Sequence, residues 1–386
     1  MANTSAARLL DCCLEGRRWT DDLLQTALAE EDGRAFFRVV VEGLGDRFEP
    51  LLCDEYARLF TRVMELARPE FRQSELLDRF ERIRRPHVCH REPKRVYVLS
   101  RITLGADVAV TSIVLDAAKQ RFPNAEIYFV GPRKNWELFA SGTRILHHPF
   151  QYPRGGSIAA RLSAWPQFDA EDSIVIDPDS RLSQLGLLPI CAEDRYFFFE
   201  SRAAGGDSGE TLVTLTKHWA RQTFGVEDAR AWIAPERVAL HADVAVSLGV
   251  GDNPEKRIAD PFELEMLAKL LATGARVLVD EGAGGEETDR VRRLQAQLPE
   301  LKVWSGAYAP FAFAISQAKL YVGYDSAGQH VAAASGTRLL SIFAGYPVER
   351  MFQRWRPEGS GRIDVIKVTD RDPKAVLNSA VQYLTL

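Results

Sequence analysis

The segment best suited to anion binding is a short loop between a strand-like apolar run and an alanine-rich, helix-like run. The run LYVGY is followed by DSAGQHVAAA at residues 325–334. A helix N-terminus exposes unpaired N–H groups at the positive end of its dipole, and small residues let a phosphate approach them. Ser326 adds a hydroxyl donor, and His330 lies in the first turn. The alternative is that Asp325 and Ser326 simply cap the helix.

A second loop supplies glycines and positive charge. It reads SLGVGDNPEKRI and follows the strand-like run VAV. Gly249 and Gly251 suit a turn that passes close to a ligand. Lys256 can neutralise a leaving pyrophosphate as a point charge, and Arg257 can do so through two parallel hydrogen bonds. A solvated turn with surface charges is the alternative.

Two further loops carry acids. In VDEGAGGEE, Glu286 and Glu287 start a helix-like run, where acids complement the helix dipole. The functional interpretation is that one of them accepts hydrogen bonds from a ribose diol, as acids do in dinucleotide-binding folds. In RITLGADVAV, Asp107 lies where a loop turns into a helix. It either caps that helix or is presented across a cleft to take a proton from a hydroxyl.

The elements that must position these loops alternate between strand-like and helix-like patterns. From residue 96, the buried-strand candidates are VYVLS, AEIYFVG, DSIVIDP and RYFFFES. A second series starts near residue 238 with VAVSLGVG, RVLVDEG, LKVWSG, KLYVGYD and RLLSIFAG. This alternation predicts an α/β fold with two mostly parallel sheets, that is, two Rossmann-like domains facing a cleft. Ligands in such sheets bind beyond the carboxyl ends of the strands.

The chain ahead of the first sheet reads as helical. The run EPLLCDEYARLFTRVMELARP ends at Arg68-Pro69. It places six apolar residues near one face at helical spacing: Leu52, Tyr56, Leu59, Phe60, Val63 and Leu66. We predict a helical domain at 1–92 and Rossmann-like domains at 93–236 and 237–386. The aromatic-rich piece GRAFFRVVVEGLGDRF is expected to pack onto the first Rossmann-like domain; acceptor binding and self-association into a homo-oligomer are the alternatives.

Bulk composition excludes several functions. The formal net charge is -4, so no global basic field attracts nucleic acid or an acidic membrane surface. The five scattered cysteines form no disulfide framework, which predicts a reducing cytoplasm. No apolar stretch approaches the ~20 residues that span a bilayer. The run HVCH at 87–90 matches no zinc spacing, so no metal site is expected there.

Taken in order, the four loops resemble those of the ADP-heptose:lipopolysaccharide heptosyltransferases, glycosyltransferase family 9. That family has an early LGD element, a glycine-rich G…K loop, a G-A-x-x-E loop and a late D-S/T-G-x-x-H-x-A-A-A element. The counterparts here are LGAD at 104–107, GVGDNPEK at 249–256, GAGGE at 282–286 and DSAGQHVAAA at 325–334. The resemblance covers roughly residues 95–386. It implies the GT-B architecture, with an acceptor domain followed by a nucleotide-sugar donor domain.

The resemblance also implies roles for individual residues. Asp107 resembles the family's catalytic base, Lys256 the lysine on the donor phosphates, and Glu286 the acid on the donor ribose. The complete set of expected donor-binding residues is Gly249, Gly251, Asn253, Lys256, Arg257, Glu286, Asp325, Ser326, Ala327, Gly328 and His330. There are two departures from the family pattern. LGAD has one residue more than LGD, so Asp107 is displaced or the loop bulges, and Ala327 stands where the family has glycine.

The implied reaction is a single displacement with inversion. An acceptor hydroxyl attacks the anomeric carbon of ADP-heptose or another nucleotide sugar, Asp107 takes the proton, and a nucleoside diphosphate leaves. Lys256 and the N–H groups ahead of His330 stabilise the leaving group, so no metal or other cofactor is expected. The expected partners are the donor and an acceptor glycan, protein or small molecule, without nucleic acid or a transmembrane segment. The expected location is the cytoplasm, either free or peripheral to the inner membrane.

Three other functions compete with heptosyl transfer. The first is a GT-B transferase that uses another nucleotide sugar on a protein or small-molecule acceptor. The second is a non-catalytic binding protein that has kept the fold. The third is a nicotinamide dehydrogenase, which needs a G-x-G-x-x-G turn; GVGDNP lacks the third glycine.

Overall fold

The computed structural model describes residues 4–153, 156–163, 165–251 and 253–385. The chain forms two compact units that interleave along the sequence. The first unit comprises Met1–Ile102, Ala117–Pro132 and Leu146–Ala229, and the second comprises Thr103–Asp116, Arg133–Ile145 and Arg230–Leu386. The units differ from the predicted division at 92 and 236. The N-terminal helices share a unit with the first sheet, and two short segments from the middle of the chain join the C-terminal half.

The chain ahead of the first sheet is helical. Its helices are α1 (Ser5–Leu14), α2 (Asp21–Ala29), α3 (Glu42–Gly45), α4 (Pro50–Ala67) and α5 (Gln73–Ile83). The run whose apolar spacing predicts a helix forms α4. Thr4 and Thr20 cap the first two through their side chains, and α4 begins with proline and ends just before Arg68.

Apolar side chains of these helices and of the first sheet form one core. Phe36 and Phe60 are fully buried in the same cluster as Leu99, Val130 and Val175 of the sheet. The expected packing of the aromatic-rich segment against the first Rossmann-like unit is therefore confirmed. Burial of this apolar area, rather than helix propensity, is what stabilises the N-terminal helices.

The first sheet has the strand order β3-β2-β1-β4-β5. The strands are β1 (Arg95–Leu99), β2 (Glu126–Gly131), β3 (Ile145–Pro149), β4 (Ser173–Asp177) and β5 (Tyr196–Phe198). β1 pairs in parallel with β2 and β4, and β4 with β5. The sequence patterns missed β3, which is a partly exposed edge strand. An edge position tolerates its two histidines and the closing proline.

Five helices lie along the chain between β1 and the second sheet, among the described residues. They are α6 (Leu104–Ala106), α7 (Ser112–Arg121), α8 (Arg133–Trp136), α9 (Ile158–Arg161) and α10 (Leu212–Phe224). Between α6 and α7, the chain forms a π-helical turn at Asp107–Thr111. The sequence placed Asp107 in a loop at a helix start, but the helical conformation begins at Leu104. The first three residues of LGAD form α6, and Asp107 is the first residue of the π turn.

The second sheet has the strand order β11-β10-β9-β6-β7-β8, and its neighbouring strands run parallel. Its strands are β6 (Val244–Ser247), β7 (Val277–Asp280), β8 (Lys302–Trp304), β9 (Leu320–Tyr324), β10 (Leu339–Phe343) and β11 (Ile363–Lys367). Its helices are α11 (Phe262–Ala272), α12 (Glu286–Gln297), α13 (Tyr308–Gln317), α14 (Ala327–Ser335), α15 (Glu349–Trp355) and α16 (Pro373–Val381). The central strands β6, β9 and β10 are buried along their whole length, as expected when helices cover a parallel sheet.

In the part of the chain that the structure describes, no helix combines the length and the apolar character needed to cross a bilayer.

Candidate functional site

The carboxyl edge of the second sheet brings the predicted loops of the C-terminal half together. β6 and β9 are neighbours, with Ser247 opposite Gly323, so the chain leaves both strands side by side. β7 lies on the other side of β6 and leads towards α12. After β9 the chain passes Asp325 and Ser326 and enters α14 at Ala327. This edge is where parallel α/β sheets bind ligands.

The N-terminus of α14 has no side-chain cap. Ser326 occupies the N-cap position with extended backbone, yet its side chain makes no capping hydrogen bond. Ser326 therefore does not cap α14, and among the described residues the first-turn N–H groups lack the acceptor that an N-cap side chain usually provides. Ala327 begins the helix without a positive φ, so its replacement of glycine requires no strained backbone.

Lys256 is held beside this helix start by Asp325. The Lys256 Nζ donates to Asp325 Oδ2 at 2.6 Å and to the Asp325 carbonyl oxygen at 3.1 Å. The two side chains are 16% and 6% exposed, so water screens the pair only weakly. The predicted lysine of the glycine-rich loop thus lies at the predicted anion-binding loop, 69 residues away in sequence.

Asp325 is oriented in turn by Gln329, which the sequence analysis did not single out. Gln329 Nε2 donates to Asp325 Oδ1 at 2.5 Å, and Ser341 Oγ donates to Gln329 Oε1 at 2.6 Å. Gln329 and Ser341 are fully buried. The chain Ser341–Gln329–Asp325–Lys256 consists of satisfied hydrogen bonds, which fixes the position of the lysine ammonium.

His330 is buried in the first turn of α14. Its ring contacts Trp355 edge-on, with the ring centroids 5.7 Å apart. Burial lowers the pKa of His330 to about 4; the Asp325 carboxylate acts in the opposite direction, and the Lys256 ammonium lowers the pKa further. The imidazole is therefore neutral at physiological pH, and its Nε2 lies 3.3 Å from Gln329 Nε2, where it can accept a hydrogen bond.

The segment that contains LGAD packs against α14. A β-carbon on Gly105 would stand 3.2 Å from Ala327 Cα and 3.2 Å from His330 Cδ2. A side chain at Gly105 would force α6 and the helix start apart by a few tenths of an ångström. The two motifs at the ends of the resemblance therefore meet within the second unit.

Asp107 itself lies in the interior. Its side chain is fully buried; Oδ1 accepts a hydrogen bond from Thr111 Oγ1 at 2.7 Å, and Oδ2 accepts one from Asn135 Nδ2 at 2.6 Å. The prediction had Asp107 presented across a cleft by the first half of the chain. In the structure, Asp107 belongs to the compact unit that contains α14. The π turn rotates it towards α8, which local patterns did not reveal.

In the glycine-rich loop, the predicted residues Gly249, Gly251 and Asn253 shape the turn that leads to Lys256. Gly251 has a φ of +60°, which suits glycine, and Gly249 lies at the start of the same loop. Asn253 accepts from the Glu255 N–H at 3.0 Å and donates to the Gly345 carbonyl at 2.9 Å, so it fixes the short turn at Pro254–Lys256.

Arg257 is drawn away from the Lys256 pair. Its guanidinium is ion-paired with the buried Glu263, with Nε 3.2 Å from Oε1, and with Asp260. Glu263 also lies 3.0 Å from Arg290 Nε and accepts from the Tyr324 hydroxyl at 3.0 Å. Arg257 thus belongs to a cluster beneath the loop, and its predicted contact with donor phosphates stays a prediction.

Of the two acids that begin α12, Glu287 faces the glycine loops and Glu286 is exposed. A β-carbon on Gly249 would stand 2.4 Å from Glu287 Oε1, and one on Gly282 would stand 2.2 Å from Glu287 Cδ. The carboxylate therefore fills the space that both glycines leave open. Burial raises the pKa of Glu287, and the nearby Asp280 raises it further. The ribose contact predicted for Glu286 stays a prediction. Glu287, turned by about 100° from it along the helix, is a second candidate for that role.

The sequence analysis also missed two hydroxyl groups at this edge. Tyr321 in β9 and Ser247 at the end of β6 are buried, and among the described residues neither hydroxyl has a hydrogen-bond partner of ordinary geometry. Each is a residue with a hydroxyl group inside an otherwise apolar parallel strand, and this pattern in the sequence could have revealed both.

Among the described residues, no group of three or more His, Cys, Asp or Glu side chains is arranged to hold a metal ion.

Comparison with known proteins identifies the fold. No family model matches the sequence, and no curated protein matches it significantly. A solved structure of the E. coli heptosyltransferase WaaC with ADP-2-deoxy-2-fluoro heptose matches 75% of this chain and 98% of its own, with a TM-score of 0.57 and 15% identity. A glycosyl transferase family 9 structure from Veillonella parvula matches 77% and 99%, with a TM-score of 0.54 and 15% identity.

A third match is E. coli ADP-heptose lps heptosyltransferase II, over 75% of this chain and 98% of its own, with a TM-score of 0.50 and 14% identity. At such identities the likeness concerns the fold. The chain has an α/β, GT-B fold like that of family 9 heptosyltransferases, and the predicted fold class is confirmed.

Proposed function

We propose that this protein is an inverting glycosyltransferase that moves heptose from ADP-heptose to an acceptor hydroxyl. The observation that carries the proposal is the start of α14, which has no side-chain cap and lies beside an immobilised Lys256 ammonium. Free N–H groups and a fixed cation together suit a diphosphate. The heptosyltransferase-like fold supports this choice of reaction, and the ADP-2-deoxy-2-fluoro heptose named for the WaaC structure supports the choice of donor.

In the proposed reaction, the acceptor oxygen forms a bond to the anomeric carbon while the bond from that carbon to the diphosphate oxygen breaks. The bonding electrons leave with the diphosphate, and the hydroxyl proton passes to a carboxylate. Lys256 and the N–H groups of α14 stabilise the developing charge, because preorganised donors act most strongly where charge appears. These groups belong to the chain, so the proposed reaction uses no cofactor besides the donor.

Asp107 is the proposed proton acceptor. It lies in the segment that contacts α14 through Gly105, and it accepts hydrogen bonds from Thr111 and Asn135, which hold the carboxylate in one orientation. Because the carboxylate is fully buried, proton transfer requires the π turn to open when substrates bind. General-base catalysis by a carboxylate contributes typically ~10²–10⁴-fold to the rate.

Two measurements test this proposal. Affinities for ADP, UDP and GDP define the donor, and we expect ADP to bind best; a clear preference for UDP rejects the heptosyl donor. Sugar transfer by Asp107→Ala tests the base. We expect retained ADP affinity and a loss of transfer of about 10²-fold or more. Thr111→Val, which removes one donor but keeps the carboxylate, is expected to transfer measurably faster than Asp107→Ala.

The burial of Asp107 favours a second candidate, a nucleotide-sugar-binding protein without transferase activity. This candidate predicts ADP binding with no transfer to any acceptor, and an ADP affinity that Asp107→Ala leaves unchanged. Detectable heptosyl transfer that depends on Asp107 rejects it.

A further inference from the structure

The phenol ring of Tyr321 lies directly beneath the first turn of α14. Its hydroxyl oxygen is 2.1 Å from where a β-carbon on Gly328 would stand and 2.4 Å from where one on Gly323 would stand. Two glycines thus make room for this one hydroxyl. Any side chain at Gly328 would displace the ring from the helix start.

The Tyr321 hydroxyl has neighbours but no established hydrogen bond. Within the described ranges, neither it nor the buried Ser247 Oγ has a partner of ordinary geometry. Burial raises the pKa of Tyr321 to about 12, while the adjacent hydroxyls of Ser247 and Ser326 act in the opposite direction. The phenol therefore keeps its proton and is available as a donor.

An unpaired buried hydroxyl costs free energy that phenylalanine, with the same ring, would not. Tyr324, three residues along the same strand, shows the usual arrangement: its hydroxyl donates to Glu263 Oε1 at 3.0 Å and accepts from the Ile258 N–H at 3.2 Å. The strand can therefore satisfy a buried phenol. At Tyr321 the adjacent hydroxyls of Ser247 and Ser326 stand in place of such a fixed pair, without a hydrogen bond of ordinary geometry to the phenol among the described residues. This is also the point where the N-cap side chain of α14 makes no capping hydrogen bond.

We infer that the hydroxyls of Tyr321 and Ser247 bind an oxygen of a pyrophosphoryl group held at the N-terminus of α14. The inference deepens the proposed function and rests on its assignment of a diphosphate to this helix. Hydroxyl donors suit the N-terminus of α14, where the Asp325 carboxylate already neutralises the Lys256 ammonium. A further negative group beside this pair would repel a diphosphate, whereas a hydroxyl does not. Neutral donors add hydrogen bonds to phosphate oxygens without adding a second buried charge that needs compensation.

The experiment compares Tyr321→Phe with Tyr324→Phe as the matched control. Calorimetric titration with ADP and with inorganic pyrophosphate measures affinity, and thermal unfolding without ligand measures stability. We expect Tyr321→Phe to bind both ligands about tenfold more weakly, with an unchanged or higher Tm. We expect Tyr324→Phe to keep both affinities and to lower the Tm, because it leaves buried groups unpaired.

Ser247→Ala provides an independent variant on the neighbouring strand, and it is expected to weaken pyrophosphate binding as well. Unchanged affinities in both Tyr321→Phe and Ser247→Ala overturn the inference and assign the hydroxyls to a buried water. Failure of the wild-type chain to bind pyrophosphate and ADP also overturns it. If the wild-type chain binds both ligands and the variants bind them weakly, but no sugar is transferred, the inference stands and the proposed transferase function fails.

Discussion

The Lys256 ammonium lies 2.6 Å from the Asp325 carboxylate, in a pair that is largely shielded from water. Each residue comes from a different loop at the carboxyl edge of the second sheet. Because Asp325 holds the ammonium in place, the lysine loses little further side-chain entropy on contacting the diphosphate of the proposed donor. A phosphate bound here would share the Lys256 ammonium with the Asp325 carboxylate, so its attraction to the lysine is partly offset by its repulsion from the aspartate.

Replacement of Lys256 by methionine should separate its two roles. We expect pyrophosphate affinity to fall by roughly 10- to 100-fold, since a charge-assisted hydrogen bond is lost. We also expect the free energy of unfolding to fall by about 3 kcal/mol, because the Asp325 carboxylate is left buried without its ammonium partner. The double variant Lys256→Met/Asp325→Asn should regain most of the stability but not the affinity. Recovery of affinity in the double variant would contradict a direct role for the lysine.

Replacement of Gly105 by alanine should disturb the contact between the LGAD segment and α14. The added carbon would stand 3.2 Å from Ala327 Cα, so one of the two elements must shift by a few tenths of an ångström. Alanine also stabilises a helix by up to about 1 kcal/mol relative to glycine, and this gain offsets the free-energy cost of the shift. We expect transfer to fall about tenfold with little change in Tm. Gly209→Ala, whose added carbon would meet nothing within 4 Å, is the control that should leave transfer unchanged.

Replacement of Glu287 by glutamine should weaken nucleotide binding more than the same change at Glu286. Only Glu287 lies against Gly249 and Gly282, where a ribose diol can donate to it. We expect about tenfold weaker ADP binding for Glu287→Gln, and less than about threefold for Glu286→Gln. Pyrophosphate, which has no ribose, should bind both variants like the wild type. Equal losses of ADP affinity in the two variants would count against the assignment of Glu287.

His330 should make the stability of the chain depend on pH below neutrality. Its pKa is about 4 in the folded chain, against an ordinary value of 6.5, so between these values the unfolded state binds more protons. The stability contributed by the neutral ring is complete above pH 6.5 and is lost as the pH falls towards 4.

A comparison with His330→Gln isolates this effect from other titrating groups such as Asp280, whose pKa is raised by burial to about 6. From pH 6.5 to 5, the wild-type chain should lose about 2 kcal/mol more unfolding free energy than the variant, by denaturant titration. Parallel pH profiles for the two proteins would show that His330 keeps an ordinary pKa.

The sequence by itself determined the parallel α/β class and the loops that end several strands of the second sheet. It did not reveal β3 or β11, nor the order of the strands within each sheet. Buried parallel strands appear in the sequence as short continuous apolar runs, and the helices between them appear as runs with helical spacing. Both are local signals that can be recognised without the tertiary structure. For the same reason, Ser326 and the start of α14 were found from the strand-to-helix pattern alone. The positive charge of the glycine-rich loop pointed to Lys256 and Arg257 together, and the family resemblance singled out Lys256.

Only the tertiary structure decided which side chains meet. The Lys256–Asp325 pair joins loops 69 residues apart. Glu287 rather than Glu286 lies against Gly249 and Gly282, because packing sets the rotation of α12. The π turn buried Asp107 against Asn135, and two glycines admitted Tyr321 beneath α14. Each of these contacts depends on how segments that are distant in the sequence pack against one another. Local periodicity fixes what each element is, whereas close packing of side chains from separate elements fixes how each one is turned.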